Sequence, residues 1–165
     1  MYMIIVNKNG TLIHNKIRYK CAIGKKGITK KKKEGDKKTP AGVFTLGKVF
    51  YRKDKVKNLK TNLNKYVIKK NMAWCDDPNN KSYNKLIFTN KKNKEKLYRK
   101  DNLYNIIVVI NYNIRPTVKN KGSAIFIHLA RKNYNGTMGC IGLKKNDLLN
   151  ILKTVTKKTK IKIVA

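Results

Sequence analysis

Ser123-Ala124-Ile125-Phe126-Ile127-His128-Leu129 decides how the chain folds. The run is short, almost wholly apolar and rich in β-branched residues, the pattern of a strand buried on both faces. Upstream, Asn105-Ile106-Ile107-Val108-Val109-Ile110-Asn111-Tyr112 repeats that pattern and predicts a central strand. Between His128 and the next apolar run lies a loop, residues 130–139, rich in Asn, Gly and Thr.

Moving outward, residues 2–6 and 11–19 read as two strands joined through Asn9-Gly10, a strong hairpin signal, with room for the second to reach residue 23. Residues 24–40 are rich in Gly and Lys and read as a loop. Residues 43–51 alternate patchily as a strand, residues 53–65 are polar without a clear period, and residues 66–68 suit a short strand. Residues 74–80 cluster Asp, Asn and Pro and predict a loop, while residues 91–102 have room for a short helix or turn. From about Lys144, the positions Leu148, Leu149, Ile151, Leu152 and Val155 recur at helical spacing. Residues 160–164 alternate as a final strand. The sum is a mainly β fold, mostly antiparallel, with one substantial helix near the C-terminus. No linker or repeat divides it, so residues 1–165 are expected to form a single domain.

The chain carries 41 Lys plus Arg against 8 Asp plus Glu, a net charge of +33. Such a charge invites a nucleic-acid reading. Arg occurs only at 18, 52, 99, 115 and 131, whereas nucleic-acid readers rely on its bidentate and stacking contacts. The densest run, Lys30-Lys31-Lys32-Lys33, has no aromatic residue interleaved, so it reads as a solvated basic surface. No specific nucleic-acid partner is expected, although weak, salt-sensitive binding of polyanions fits the charge. Three Cys and two His, with no C-x-x-C spacing, predict neither a disulfide scaffold nor a structural zinc site. No apolar run reaches membrane-spanning length, and no basic segment followed by an apolar one marks a secretory signal. The expectation is a cytoplasmic protein as written, or a periplasmic or cell-wall one if exported by a route without a visible signal.

Two residues carry candidate chemistry. His128 closes a buried strand, and Cys140 follows Gly139 in Thr137-Met138-Gly139-Cys140-Ile141-Gly142-Leu143. A strand end fixes an imidazole, and a returning loop can bring a thiol to it. A free thiol, with a pKa of about 8.5, needs a nearby base or cation to act as a nucleophile at neutral pH. Gly139 lets backbone N–H groups approach a substrate carbonyl, as an oxyanion hole requires. Taken alone the pair stays ambiguous, because a lone Cys is often a small buried hydrophobe and a lone His often a satisfied strand-end residue.

The stretch from His128 to Leu143 resembles the active-site signature of the L,D-transpeptidases of the YkuD domain family: a His, a loop, then Ser/Thr-x-Gly-Cys and an apolar residue. Upstream, Gly35-Asp36-Lys37-Lys38-Thr39-Pro40-Ala41-Gly42-Val43-Phe44 resembles the family's G-x-x-x-T-P-x-G-x-F element. Trp74-Cys75-Asp76-Asp77-Pro78 with Tyr83-Asn84, and Asp101-Asn102-Leu103-Tyr104, resemble a compact proteobacterial branch, and the likeness spans residues 3–152. There are departures. Met138 stands where many relatives have His, Gly142 where many have Arg or Asn, and the loop before Cys140 is shorter than in many members.

The resemblance implies a mixed β-sandwich or barrel and an acyl transfer on peptidoglycan stem tetrapeptides. In that scheme His128 takes the thiol proton, and Cys140 attacks the carbonyl of the third, L-configured residue. The terminal D-amino acid leaves, and N–H groups around Gly139 and Cys140 hold the oxyanion. An acceptor amine then resolves the thioester, which is transpeptidation. If water does so instead, the protein is an L,D-carboxypeptidase that trims muropeptides. No metal or organic cofactor is implied. Arg131, just past the base, is placed to bind a stem carboxylate or is a plain surface Arg; Tyr83, Asn84 and Tyr104 either line the cleft or pack in the core or a loop, and Thr137 is a substrate-binding candidate. Asp76 and Asp77 are placed to receive a substrate amine or to pair with surface Lys. Thr39-Pro40 and Gly42 are expected to shape a turn rather than touch substrate. A reading of a different class is a basic nucleic-acid-binding module with an inert Cys–His pair.

Overall fold

Ile4 and Val6 are buried while Met3, Ile5 and Asn7 are half-exposed, so β1 (Met3–Asn7) turns one face to a core and the other toward solvent. The computed structural model describes residues 3–91 and 94–165. β1 pairs antiparallel with β2 (Thr11–His14) across Lys8-Asn9-Gly10, with Gly10 at φ 75° closing the turn. The second strand stops at His14. Asn15 and Lys16, at φ 49° and 65°, close another hairpin onto β3 (Ile17–Ala22). The single strand expected over residues 11–19 is therefore two. Asn accepts left-handed backbone, but Lys carries no turn signal.

The other strands of the large sheet are β6 (Gly42–Tyr51), β7 (Lys65–Val67), β11 (Ile106–Ile110), β12 (Phe126–Leu129), β13 (Ile141–Leu143) and β14 (Lys160–Ile163). They run in the order β11-β12-β13-β3-β2-β1-β14-β6-β7, and β6 pairs a second time with β11. The sheet therefore closes on itself, with β7 outside the circuit along the edge of β6. It is mixed: β1–β14, β12–β13 and β6–β7 are parallel, and its remaining pairings are antiparallel. In the loop over residues 24–40, β4 (Ile28–Thr29) and β5 (Thr39–Pro40) form a small parallel pair.

The β11 residues, all buried, divide between two cores. Ile106, Val108 and Ile110 join Ile4, Val6, Leu12, Ile127, Leu129 and Ile141 in the first core. Helix α1 (Lys145–Thr154) packs there through Leu148, Ile151 and Leu152, at the spacing the sequence predicts, with Val155 as its C-cap. Burying each such side chain contributes about 1.5–3 kcal/mol. The segment over residues 53–65 is irregular, but Val56, Leu59 and Leu63 fold into this core.

Ile107 and Val109 point the other way, toward Phe50, Trp74, Leu97, Tyr104 and Phe126. A three-stranded sheet covers this second core: β10 (Glu95–Lys96), β8 (Met72–Trp74) and β9 (Leu86–Phe88), in that spatial order. Two expectations are corrected here. Trp74 belongs to a strand rather than to the loop that follows it, because its ring stacks edge-on against Phe126 with centroids 5.1 Å apart. The described part of residues 91–102 holds β10 and bends, with no helix, because Leu97 is drawn wholly into the core; residues 92 and 93 lie outside the described residues.

Candidate active site

The period of a strand places His128. On β12, Ile127 and Leu129 enter the first core, while Phe126 and His128 face the second. His128 sits opposite Ile107 of β11 in the register. Its Nδ1 lies 2.8 Å from the carbonyl oxygen of Leu129. A carbonyl only accepts, so Nδ1 carries the proton and Nε2 keeps its lone pair. Nε2 has no hydrogen-bond partner among the described residues. The Tyr104 ring packs edge-on to the imidazole at 5.3 Å. The Arg99 guanidinium lies 4.9 Å from the Tyr104 ring centroid and is itself held by both oxygens of Asp101, at 2.9 and 2.7 Å.

Cys140 leads into β13, which pairs parallel with β12, so the sheet brings thiol and imidazole onto one wall. Gly139 makes the approach possible. It has φ 138°, and a Cβ there would stand 2.8 Å from the Lys38 carbonyl oxygen. Cys140 Sγ donates to Ala124 O at 3.1 Å and accepts from the Phe126 N–H at 3.4 Å. Ala124 itself holds left-handed backbone, φ 53°, which ends the regular strand at Phe126. Burial pushes the thiol up to about 12 and the imidazole down to about 4. The Leu129 carbonyl opposes the histidine shift, and Arg99 and Arg131 reinforce it. Both groups are therefore neutral near pH 7. No hydrogen bond joins them among the described residues; they share one cleft of about 560 Å³.

Thr137 braces the Cys140 loop. Its hydroxyl donates to Cys140 O at 2.6 Å and accepts from the Gly139 N–H at 3.1 Å, so that N–H is already engaged. The Thr137 backbone exchanges hydrogen bonds with Ile23 O and the Lys25 N–H, at 2.9 and 2.8 Å. The intervening Gly24 N–H donates to the buried Thr39 hydroxyl at 2.8 Å. The Gly35–Phe44 element thus supports the Cys140 loop from behind.

The remaining candidates divide. Arg131, Tyr104, Thr137 and Asp76 line the cleft. Asp77 does not line it: it pairs with Lys94 at 3.6 Å and accepts from the Asn79 N–H at 3.0 Å. Tyr83 is buried behind the wall, where its hydroxyl donates to Glu34 Oε2 and accepts from the Gly122 N–H at 3.0 Å. Cys21 and Cys75 are buried away from the cleft. Five further charged residues line it: Lys25, Lys32, Glu34, Glu95 and Arg99. The sequence hid them inside polar runs. Lys32 also corrects the reading of its tetralysine as wholly solvated. It is buried and bonds Asp36 Oδ1 at 2.6 Å and Lys33 O at 2.8 Å.

A closed β sheet thus presents a buried thiol and a buried imidazole to one cleft. Residues 1–163 match YkuD, the L,D-transpeptidase catalytic domain, and the chain belongs to that family. Three solved structures similar to it are a point variant of the helical cell shape determining protein Pgp2 from Campylobacter jejuni (19% identity, TM-score 0.50), Bdellovibrio bacteriovorus Bd1075 (18%, 0.49) and Mycobacterium tuberculosis L,D-transpeptidase 1 (12%, 0.42). The matches cover 98%, 99% and 99% of this chain but only 46%, 47% and 61% of those chains. At 19% identity the first of these is a likeness of fold alone. No curated protein matches the chain. Among the described residues no helix is long and apolar enough to cross a membrane.

Proposed function

We propose that Cys140 is the nucleophile and His128 the base of an acyl transfer on peptidoglycan stem tetrapeptides. One observation carries this reading: Leu129 O pins Nδ1, which leaves the basic nitrogen for the cleft that Cys140 also lines. With thiol and imidazole both neutral at rest, His128 Nε2 takes the thiol proton as Sγ attacks the carbonyl carbon of the third residue. The Sγ–H leaves its resting partner, Ala124 O, to do so. The Gly139 N–H is spent on Thr137, so the oxyanion is assigned to the Cys140 N–H, and Gly139 contributes conformation. The tetrahedral adduct collapses to a thioester. The terminal D-amino acid leaves with the proton returned from His128. An acceptor amine then attacks the thioester, passing its proton through His128 to the departing sulfur. Arg131, exposed on the rim, binds a stem carboxylate.

The test incubates the purified protein and Cys140→Ala with a disaccharide-tetrapeptide and resolves products by mass spectrometry. A Cys140-dependent dimer is the expected result. A Cys140-dependent tripeptide without dimer makes the protein an L,D-carboxypeptidase instead. Product formation that survives the substitution overturns the assignment.

A further inference from the structure

Charge is distributed unevenly over this chain. It has eight acidic residues and only two Glu, and both Glu34 and Glu95 line the cleft, together with Asp76. Five acids are spent on ion pairs: Asp36, Asp54, Asp77, Glu95 and Asp101. Glu34 pairs with no Lys or Arg among the described residues, although the chain has 41 of them. Lys32, two residues away in the same cleft, turns to Asp36 instead.

Glu34 is nonetheless held in place. Its Oε2 accepts from the Tyr83 hydroxyl and, at 2.7 Å, from the Ser123 hydroxyl. Its N–H donates to Asn120 O at 2.9 Å. Its other oxygen, Oε1, has no partner among the described residues. The link to the thiol is short. Ser123 holds the carboxylate, and the carbonyl of the next residue, Ala124, accepts the Sγ–H of Cys140. A second polar group in this cleft also waits for a partner: His128, only 6% exposed, has Nε2 unengaged among the described residues. A fixed carboxylate without a cation, lining the same cleft as a thiol and a free basic nitrogen, fits an incoming ammonium group. In a chain of +33, and in a cleft that also holds Lys25, Lys32, Arg99 and Arg131, the Glu34 carboxylate is the contact that offers such a group a counter-charge.

We infer that Glu34 is the specificity-determining residue for the acceptor, selecting an amine that arrives as an alkylammonium ion. The inference rests on the acyl transfer proposed above. The ammonium docks on Oε1 and gives one proton to solvent there. The neutral amine then attacks the thioester carbonyl, and the amide bond forms as the C–S bond breaks. The second amine proton passes to His128 Nε2 and on to Sγ, which restores the thiol. Water needs no such docking, so losing Glu34 shifts the thioester from aminolysis toward hydrolysis while leaving its formation intact.

The experiment uses the full chain with a disaccharide-tetrapeptide donor and two acceptor probes: Nα-acetyl-lysine amide, cationic at pH 7, and methoxyamine, neutral at pH 7. Release of the D-amino acid measures thioester formation; the ratio of amine adduct to tripeptide measures partitioning. Glu34→Gln keeps a carbonyl oxygen for Tyr83 and Ser123 and removes the charge. The expected result is D-amino acid release within about twofold of wild type, lysine-amide capture lower by about tenfold, and methoxyamine capture unchanged. Glu34→Asp restores part of the lysine-amide capture. In the unsubstituted protein, added salt lowers capture of the lysine probe and spares methoxyamine, a readout independent of any variant's folding. Equal lysine-amide capture by wild type and Glu34→Gln, or an equal fall with both probes, overturns the inference while acyl transfer stands. No D-amino acid release from the unsubstituted protein overturns acyl transfer itself, and the Glu34 role with it.

Discussion

Replacing Thr137 with Val tests whether that hydroxyl braces the Cys140 loop or touches substrate. Valine keeps the β-branched shape and removes one oxygen. That oxygen donates to Cys140 O at 2.6 Å and accepts from the Gly139 N–H at 3.1 Å, so two hydrogen bonds are lost and two backbone groups lose their partner. At about 1 kcal/mol for each bond, the loss is about 2 kcal/mol. For a domain of this size, about 2–4 °C of Tm per kcal/mol gives a fall of about 4–8 °C. Because the released carbonyl belongs to Cys140, kcat for D-amino acid release falls as well, by about tenfold or more, while KM changes little. Thermal melting by circular dichroism and steady-state kinetics on one tetrapeptide read both effects, with Thr137→Ser as the control that restores the oxygen. An unchanged Tm with a raised KM would refute the bracing argument and make Thr137 a substrate contact.

Three other outcomes follow from the same geometry. Gly139→Ala places a Cβ 2.8 Å from Lys38 O at φ 138°, so stability falls by about 2 kcal/mol or more in chemical denaturation and Cys140-dependent turnover is lost. His128, held near 4 by burial against an ordinary 6.5, is protonated more readily in the unfolded chain; its contribution is full above pH 6.5 and is lost as pH falls toward 4, a slope in Tm that His128→Gln flattens. Burial holds the Cys140 thiol at about 12, well above the ordinary thiol value of about 8.5, so its contribution is full below about pH 8.5 and lost as pH rises toward 12; iodoacetamide at pH 8 alkylates it far more slowly in the folded protein than in urea, as peptide mapping will show.

The strands around the site were legible in the sequence because they are buried on both faces. The β-branched runs at residues 105–112 and 123–129 became β11 and β12, and the helical spacing from Leu148 to Leu152 became α1. Trp74 was not legible as a strand residue. It sits in a three-residue strand, too short to show alternation, and ordered by packing on Phe126. The hairpin at Asn15-Lys16 escaped because Lys at φ 65° carries no turn signal. Spacing and motif resemblance brought out His128, Gly139 and Cys140. Lys25, Lys32, Glu34 and Arg99 reach the cleft through folded loops and Glu95 through the two-residue β10, which residue types in a Lys-rich run do not reveal. Thr137 was legible as a member of the motif; that its hydroxyl is spent on Gly139 and Cys140 was not.

The central claim is that Cys140 forms a thioester with the stem peptide, and the direct measurement is mass spectrometry of the protein quenched in acid during turnover of a tetrapeptide. The account predicts an acyl adduct on the peptide that contains Cys140, absent from Cys140→Ala and accumulating in His128→Gln only after far longer incubation. Turnover with no adduct, or an adduct on Cys21 or Cys75, would contradict it.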